Sequence, residues 1–200
     1  MGLMLSASLK PAVTRVINPI ARSFLRIGLS PNAVTILGAT GLIFSALYFY
    51  PMGKFFIGTL FISFFALSDL FDGAMARISQ KGASPWGGFL DSTIDRLTDS
   101  AVLVGVTFYL IRNEDRLSVV VICALVFGFL VSYIRAKAES LNIECSGGIA
   151  ERTERLIISL TAIGLAGLGI PHVLALGMWL LLLLAAITVV QRILIVKAAL

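Results

Sequence analysis

Six apolar runs, bounded by charge, proline or glycine, fall at roughly 33–50, 54–76, 86–111, 117–137, 153–170 and 172–196. An α-helix needs about 20 apolar residues to cross the hydrocarbon of a bilayer. The chain is 58% hydrophobic and only 14% charged, with a mean hydropathy of +0.97. Soluble domains carry about a quarter charged residues. The expected class is therefore an all-α integral membrane protein with six transmembrane helices. A secreted disulfide scaffold, a disordered tail and a soluble nucleotide-binding sheet are excluded. The two cysteines, Cys123 and Cys145, read as unpaired thiols.

Residues 1–28 are too polar to span. Val13, Val16, Ile17, Ile20, Phe24 and Ile27 recur at helical spacing, and Arg15, Arg22 and Arg26 take another face. That pattern predicts an interfacial amphipathic helix ahead of the bundle. The start Met1-Gly2 matches a myristoylation pattern only loosely, and a six-helix protein needs no lipid anchor. The bundle is expected over 33–197, and the whole chain, 1–200, is expected to be a single domain. Six crossings put both termini on one side. Thirteen of the 16 basic residues then fall on that side, against Lys54, Arg112 and Arg116 on the other. The bias of basic residues toward cytoplasmic loops places both termini in the cytoplasm. It also accounts for the net charge of +5 without nucleic acid as a partner.

Five of the 11 acidic residues, Asp69, Asp72, Asp91, Asp95 and Asp99, lie at the cytoplasmic ends of the second and third runs. An aspartate at the centre of a spanning helix costs about 2.5–3.5 kcal/mol on insertion scales. The spacings i, i+3 and i, i+4, i+8 put each set on one helix face, so two carboxylate faces can meet across a helix seam. Arg77 and Arg96 cannot neutralise five carboxylates. An oxygen-only, highly charged site suits Mg²⁺, with Mn²⁺ as the alternative. Gly73, Ala76, Gly87 and Gly88 leave room between the helices or simply let them pack closely. For Asp99, one turn deeper than Asp95, a structural hydrogen-bonding role stands ahead of a metal role.

The pattern Asp69-x2-Asp72-Gly73-x2-Ala76-Arg77-x9-Gly87-x3-Asp91-x3-Asp95 resembles the signature of the CDP-alcohol phosphotransferases. These membrane enzymes move a substituted phosphate from a CDP-linked donor to an alcohol. The resemblance implies that Asp69, Asp72, Asp91 and Asp95 hold two divalent ions, which bind the donor pyrophosphate, and that Asp95 is also the general base. It also implies that Pro31, Asn32, Ala33 and Val34, in a segment that otherwise reads as an ordinary helix start, line the cytidine diphosphate pocket. Gly73, Arg77 and Ser84 are likewise assigned to the donor, Gly73 by close approach and Arg77 by charge. A homodimer follows from the resemblance alone.

Basic residues outside the signature bear on the acceptor. Arg135, Lys137, Arg152, Arg155 and Arg192 stand on the cytoplasmic side and could converge on a dianionic phosphate. Ordinary loop anchoring is the plain alternative, weakest for Arg192 inside an apolar run. The stretch 146–155, with its Glu-Arg-x-Glu-Arg, resembles the corresponding region of actinobacterial phosphatidylinositol phosphate synthases. The expected activity is transfer of the phosphatidyl group of CDP-diacylglycerol to an inositol phosphate with release of CMP, in a bacterial plasma membrane. Glycerol-3-phosphate is the alternative acceptor. A divalent-cation transporter is the alternative of another class, disfavoured because the carboxylates do not continue across the bilayer. His172 and the tryptophans are given no role beyond helix ends and an interfacial belt.

Overall fold

The computed structural model describes residues 17–79 and 84–200, and no strand occurs among them. Residues 1–16 of the expected interfacial helix, and Lys81, lie outside the described residues. The described elements are helices α1 (17–26), α2 (Pro31–Phe49), α3 (Phe55–Ala66), α4 (Ser68–Ile78), α5 (Pro85–Arg112), α6 (Leu117–Ser140), α7 (Arg152–Gly167) and α8 (Val173–Ala199). Among the described residues four stretches are long and apolar enough to cross a membrane: Pro31–Phe49, Phe55–Ile78, Leu117–Ser140 and Val173–Ala199. The other two expected crossings differ for identifiable reasons. Helix α5 has 28 residues, but Asp91, Asp95, Arg96 and Asp99 interrupt its apolar character. Helix α7 has only 16 residues and opens on Arg152, Glu154 and Arg155.

The chain divides into two compact units, Met1–Phe44 with Phe61–Thr98 and Ser45–Leu60 with Asp99–Leu200. In the first unit, Ala21, Val34, Ala74 and Met75 form a buried cluster against which Ile17, Phe24, Leu25, Leu29, Phe71 and Ile78 pack. Phe24 meets Phe71 edge-on at 5.8 Å between ring centroids. The inward face of α1 is thus Ile17, Ala21, Phe24 and Leu25, an i, i+4, i+7, i+8 stripe. It is rotated from the expected one, since Ile20 and Ile27 are exposed. The second apolar run is broken between α3 and α4 at Leu67. Beside the break the chains are crowded: a Cβ on Gly38 would collide with the Ser68 side chain, and one on Gly41 with the Phe65 ring.

In the second unit α8 packs against both α6 and α7. Small residues set the spacing, as membrane helix packing requires. A Cβ on Gly177 would strike Ala162, one on Gly167 the backbone of Phe56, and one on Gly105 the carbonyl of Ala46. Tyr50 is fully buried between α2 and α3, with its hydroxyl 2.9 Å from Thr59 Oγ1. The loop between α6 and α7 is fastened to α8. Ala150 N donates to Thr188 Oγ1 at 3.1 Å and Ile149 N to Gln191 Oε1 at 3.2 Å. Outward-facing Leu37, Phe44, Phe64, Val119, Leu176 and Leu183 are each more than half exposed. Apolar exposure on that scale is what lipid requires of a helix bundle.

Candidate active site

Two helices of the first unit begin in the same way. Ser30-Pro31 opens α2 and Ser84-Pro85 opens α5. Proline suits the first helical position, and each serine hydroxyl takes one of the backbone N–H groups left without an intrahelical acceptor. Ala33 N donates to Ser30 Oγ at 3.2 Å and Gly87 N to Ser84 Oγ at 3.0 Å. Both starts open on one cavity of about 570 Å³. That volume lies within the usual range for small-molecule sites. Its wall comprises Leu25, Gly28, Leu29, Ser30, Pro31, Asn32 and Thr35, then Asp69, Asp72, Gly73, Ala76 and Ser79, then Ser84, Gly87, Gly88 and Asp91.

Three carboxylates therefore face one space, and among the described residues no lysine or arginine lines it. Asp72 is buried, Asp69 half-buried and Asp91 exposed. Among the described residues no three acidic, histidine or cysteine side chains close on a single point. Instead the Asp72 Oδ2 accepts a hydrogen bond from Thr35 Oγ1 across the α2–α4 seam at 2.5 Å. Glycine makes room on two sides. A Cβ on Gly87 would come within 3.1 Å of Ser84 Oγ and 3.3 Å of Asn32 Oδ1, while one on Gly88 would meet nothing. The donor set is all oxygen, anionic and next to helix N-termini. It fits hard divalent cations together with the phosphate oxygens of a ligand.

The structure brings together Asp69, Asp72, Asp91, Pro31, Asn32, Gly73 and Ser84 from the sequence-predicted set. Ala33 and Val34 do not line the cavity; Val34 belongs to the buried cluster behind it. Arg77, exposed in the last turn of α4, places its Nη1 beside Gly73, 3.7 Å from where a Cβ would stand. Asp95 is half-buried one turn beyond Asp91, forms an ion pair with Arg96 at 3.5 Å and is not part of the wall. Thr35 was missed as a wall residue, although its place four residues after Pro31 puts both on one helical face.

The five basic residues expected at the acceptor belong to the second unit. Asp99 forms ion pairs with Arg152 Nε at 3.5 Å and Arg155 Nη2 at 3.8 Å. Arg155 is buried and its Nη1 donates to Ala150 O at 3.0 Å. Arg192, also buried, donates from Nε to Gly147 O at 2.9 Å and from Nη1 to Val131 O at 2.6 Å. Gly147 sits at φ +135 in a loop where a side chain is disfavoured. Arg135 is exposed and pairs with Glu139 at 2.9 Å, and Lys137 is exposed two residues on.

Residues 28–198 match the family model described as CDP-alcohol phosphatidyltransferase. A phosphatidylinositol phosphate synthase from Streptomyces avermitilis is 42% identical over 204 residues, covering 97% of this chain and 83% of the relative. A crystal structure of the Mycobacterium tuberculosis phosphatidylinositol phosphate synthase with CDP-DAG bound superposes with a TM-score of 0.87 at 43% identity, covering 91% of this chain and 94% of that one. A structure of the same enzyme in complex with manganese and citrate gives a TM-score of 0.86 at 42% identity, over 90% of this chain and 88% of that one. With an aspartate-lined cavity at two helix starts, and with family identity over nearly its whole length, the chain belongs to the CDP-alcohol phosphatidyltransferases.

Proposed function

We propose that this protein is a phosphatidylinositol phosphate synthase, which transfers the phosphatidyl group of CDP-diacylglycerol to a hydroxyl of an inositol phosphate and releases CMP. The observation that carries this reading is the cavity with three carboxylates and two helix N-termini, in a chain 42–43% identical to synthases of that name. The relative crystallised with CDP-DAG supports the donor, and the one holding manganese supports a divalent cation.

Asp69, Asp72, Asp91 and Asp95 would hold two divalent ions, Mg²⁺ or Mn²⁺, which supply charge neutralisation for the donor pyrophosphate. Pro31, Asn32, Gly73 and Ser84 bind the cytidine diphosphate, with Ala33 and Val34 as the packing that fixes the first turn of α2. Arg77 adds charge to phosphate oxygens. Asp95 takes the proton of the acceptor hydroxyl. That oxygen forms a new bond to the lipid-bearing phosphorus as the bond to CMP breaks on the opposite side. Arg135, Lys137, Arg152, Arg155 and Arg192 bind the acceptor phosphate. Arg192 is fixed for this by two carbonyls, which leaves Nη2 as its contribution.

The same reading places six crossings in a bacterial plasma membrane, with α5 and α7 completing the bundle and α1 as an interfacial helix. Both termini and the cavity face the cytoplasm, and two copies form a homodimer. The single span of the family model, residues 28–198, supports one domain. The test is CMP release by purified protein from CDP-diacylglycerol with divalent metal. Inositol phosphate, free inositol, glycerol-3-phosphate and serine are compared as acceptors. Release only with inositol phosphate is expected. Release with glycerol-3-phosphate would keep the chemistry and discard the acceptor.

A further inference from the structure

In α8 the run from Val173 to Val196 is apolar apart from the Trp179 indole and three polar side chains, Thr188, Gln191 and Arg192. The spacing i, i+3, i+4 puts all three on one helical face. Each of them meets the same stretch of backbone. Arg192 Nε donates to Gly147 O at 2.9 Å, Gln191 Oε1 accepts from Ile149 N at 3.2 Å and Thr188 Oγ1 accepts from Ala150 N at 3.1 Å. The loop thus runs antiparallel to α8. Residues 143–150 lie in no helix, so their backbone groups depend on partners of this kind.

The loop and the helix approach closely. Gly147 and Gly148 stand at φ +135 and +128, where a side chain is strained, and a Cβ on Gly148 would lie 2.4 Å from Thr188 Cγ2. Thr188 is fully buried and its hydroxyl is used twice, accepting from Ala150 N and donating to Leu184 O at 2.8 Å. Arg192 is 3% exposed and donates from Nη1 to Val131 O at 2.6 Å as well as to the loop. One carbonyl of α6 and one of the loop therefore set its direction. We propose that Thr188 and Gln191 are positioning residues for the acceptor: they hold the 147–150 backbone on α8, and the Gly147 carbonyl so placed aims the Arg192 guanidinium at the acceptor phosphate. The proposal rests on the reading of Arg192 as an acceptor ligand. Thr188 and Gln191 act through the loop and touch neither substrate, so their loss falls on acceptor binding.

The test measures kcat and both KM values of the purified enzyme for Thr188→Val, Thr188→Ser, Gln191→Leu, Gln191→Glu, Arg192→Ala and the double variant Gln191→Leu/Arg192→Ala. Thr188→Val and Gln191→Leu should each raise the acceptor KM about tenfold, with the donor KM unchanged. Thr188→Ser and Gln191→Glu, which keep the accepting oxygen, should recover most of that loss. In the Arg192→Ala background Gln191→Leu should add less than it does alone. Equal changes in both KM values, or an unchanged acceptor KM, would overturn the positioning role. If Thr188→Val does not fold, Gln191→Leu decides alone by the same criterion, since Gln191 is only half-buried. If Arg192→Ala leaves the acceptor KM untouched, the failure lies in the reading of Arg192 and the proposal falls with it. If Arg192→Ala raises that KM but Thr188→Val and Gln191→Leu do not, only the positioning role fails.

Discussion

The Asp72 carboxylate is buried and hydrogen-bonded to Thr35, and Asp69 and Asp91 share its cavity. A hydroxyl that fixes one oxygen of a ligating carboxylate sets where the other points, and losing such a partner typically costs 10–100-fold in metal affinity. Thr35→Val should therefore weaken Mn²⁺ binding by about tenfold, read by titration of the purified protein, and Thr35→Ser should restore it. Undiminished binding in the valine variant would leave Thr35 as packing only. Asp95 stands apart from the wall, paired with Arg96. As the base, Asp95→Asn should abolish turnover while CDP-lipid binding, measured by equilibrium dialysis, persists. A parallel loss of binding would make metal ligation its main task.

At the scale of elements, the two Ser-Pro starts do double duty as caps and as cavity wall. Loss of a capping hydroxyl costs about 1 kcal/mol. Ser84→Ala should lower the melting temperature slightly and raise the donor KM more than the acceptor KM. Close approach is the other device. Gly105→Ala drives a Cβ into the Ala46 carbonyl, whereas Gly88→Ala meets open space. The first should depress thermal stability in detergent and the second should not. Much of this is legible in sequence, because hydropathy reports spans, Ser-Pro reports helix starts, and i, i+3 and i, i+4 spacing reports the carboxylate faces. What stays hidden depends on tertiary partners. The rotation of α1 is set by Phe71 and Met75 rather than by its own apolar residues. Val34 turns inward to the same cluster. The pairing of Asp99 with Arg152 and Arg155 joins residues more than fifty positions apart, for which no local period exists.

For the molecule as a whole, the exposed apolar side chains and the proposed topology make a single prediction about orientation. Cysteines placed singly at Asn113 and Ser140, the two flanks of α6, should be labelled from opposite sides of sealed vesicles, with Ser140 on the side of the cavity. Labelling of both from one side would break the proposed topology. The central claim is that the cavity lined by Asp69, Asp72 and Asp91 is where metal and donor meet. The most direct measurement is a Mn²⁺ titration, followed by electron paramagnetic resonance, of the wild-type protein and of Asp72→Asn and Asp91→Asn, each with and without CDP-diacylglycerol. The account predicts binding that tightens with the donor in the wild type and is lost in both variants. Equal Mn²⁺ affinity in all three proteins, unaffected by the donor, would contradict it.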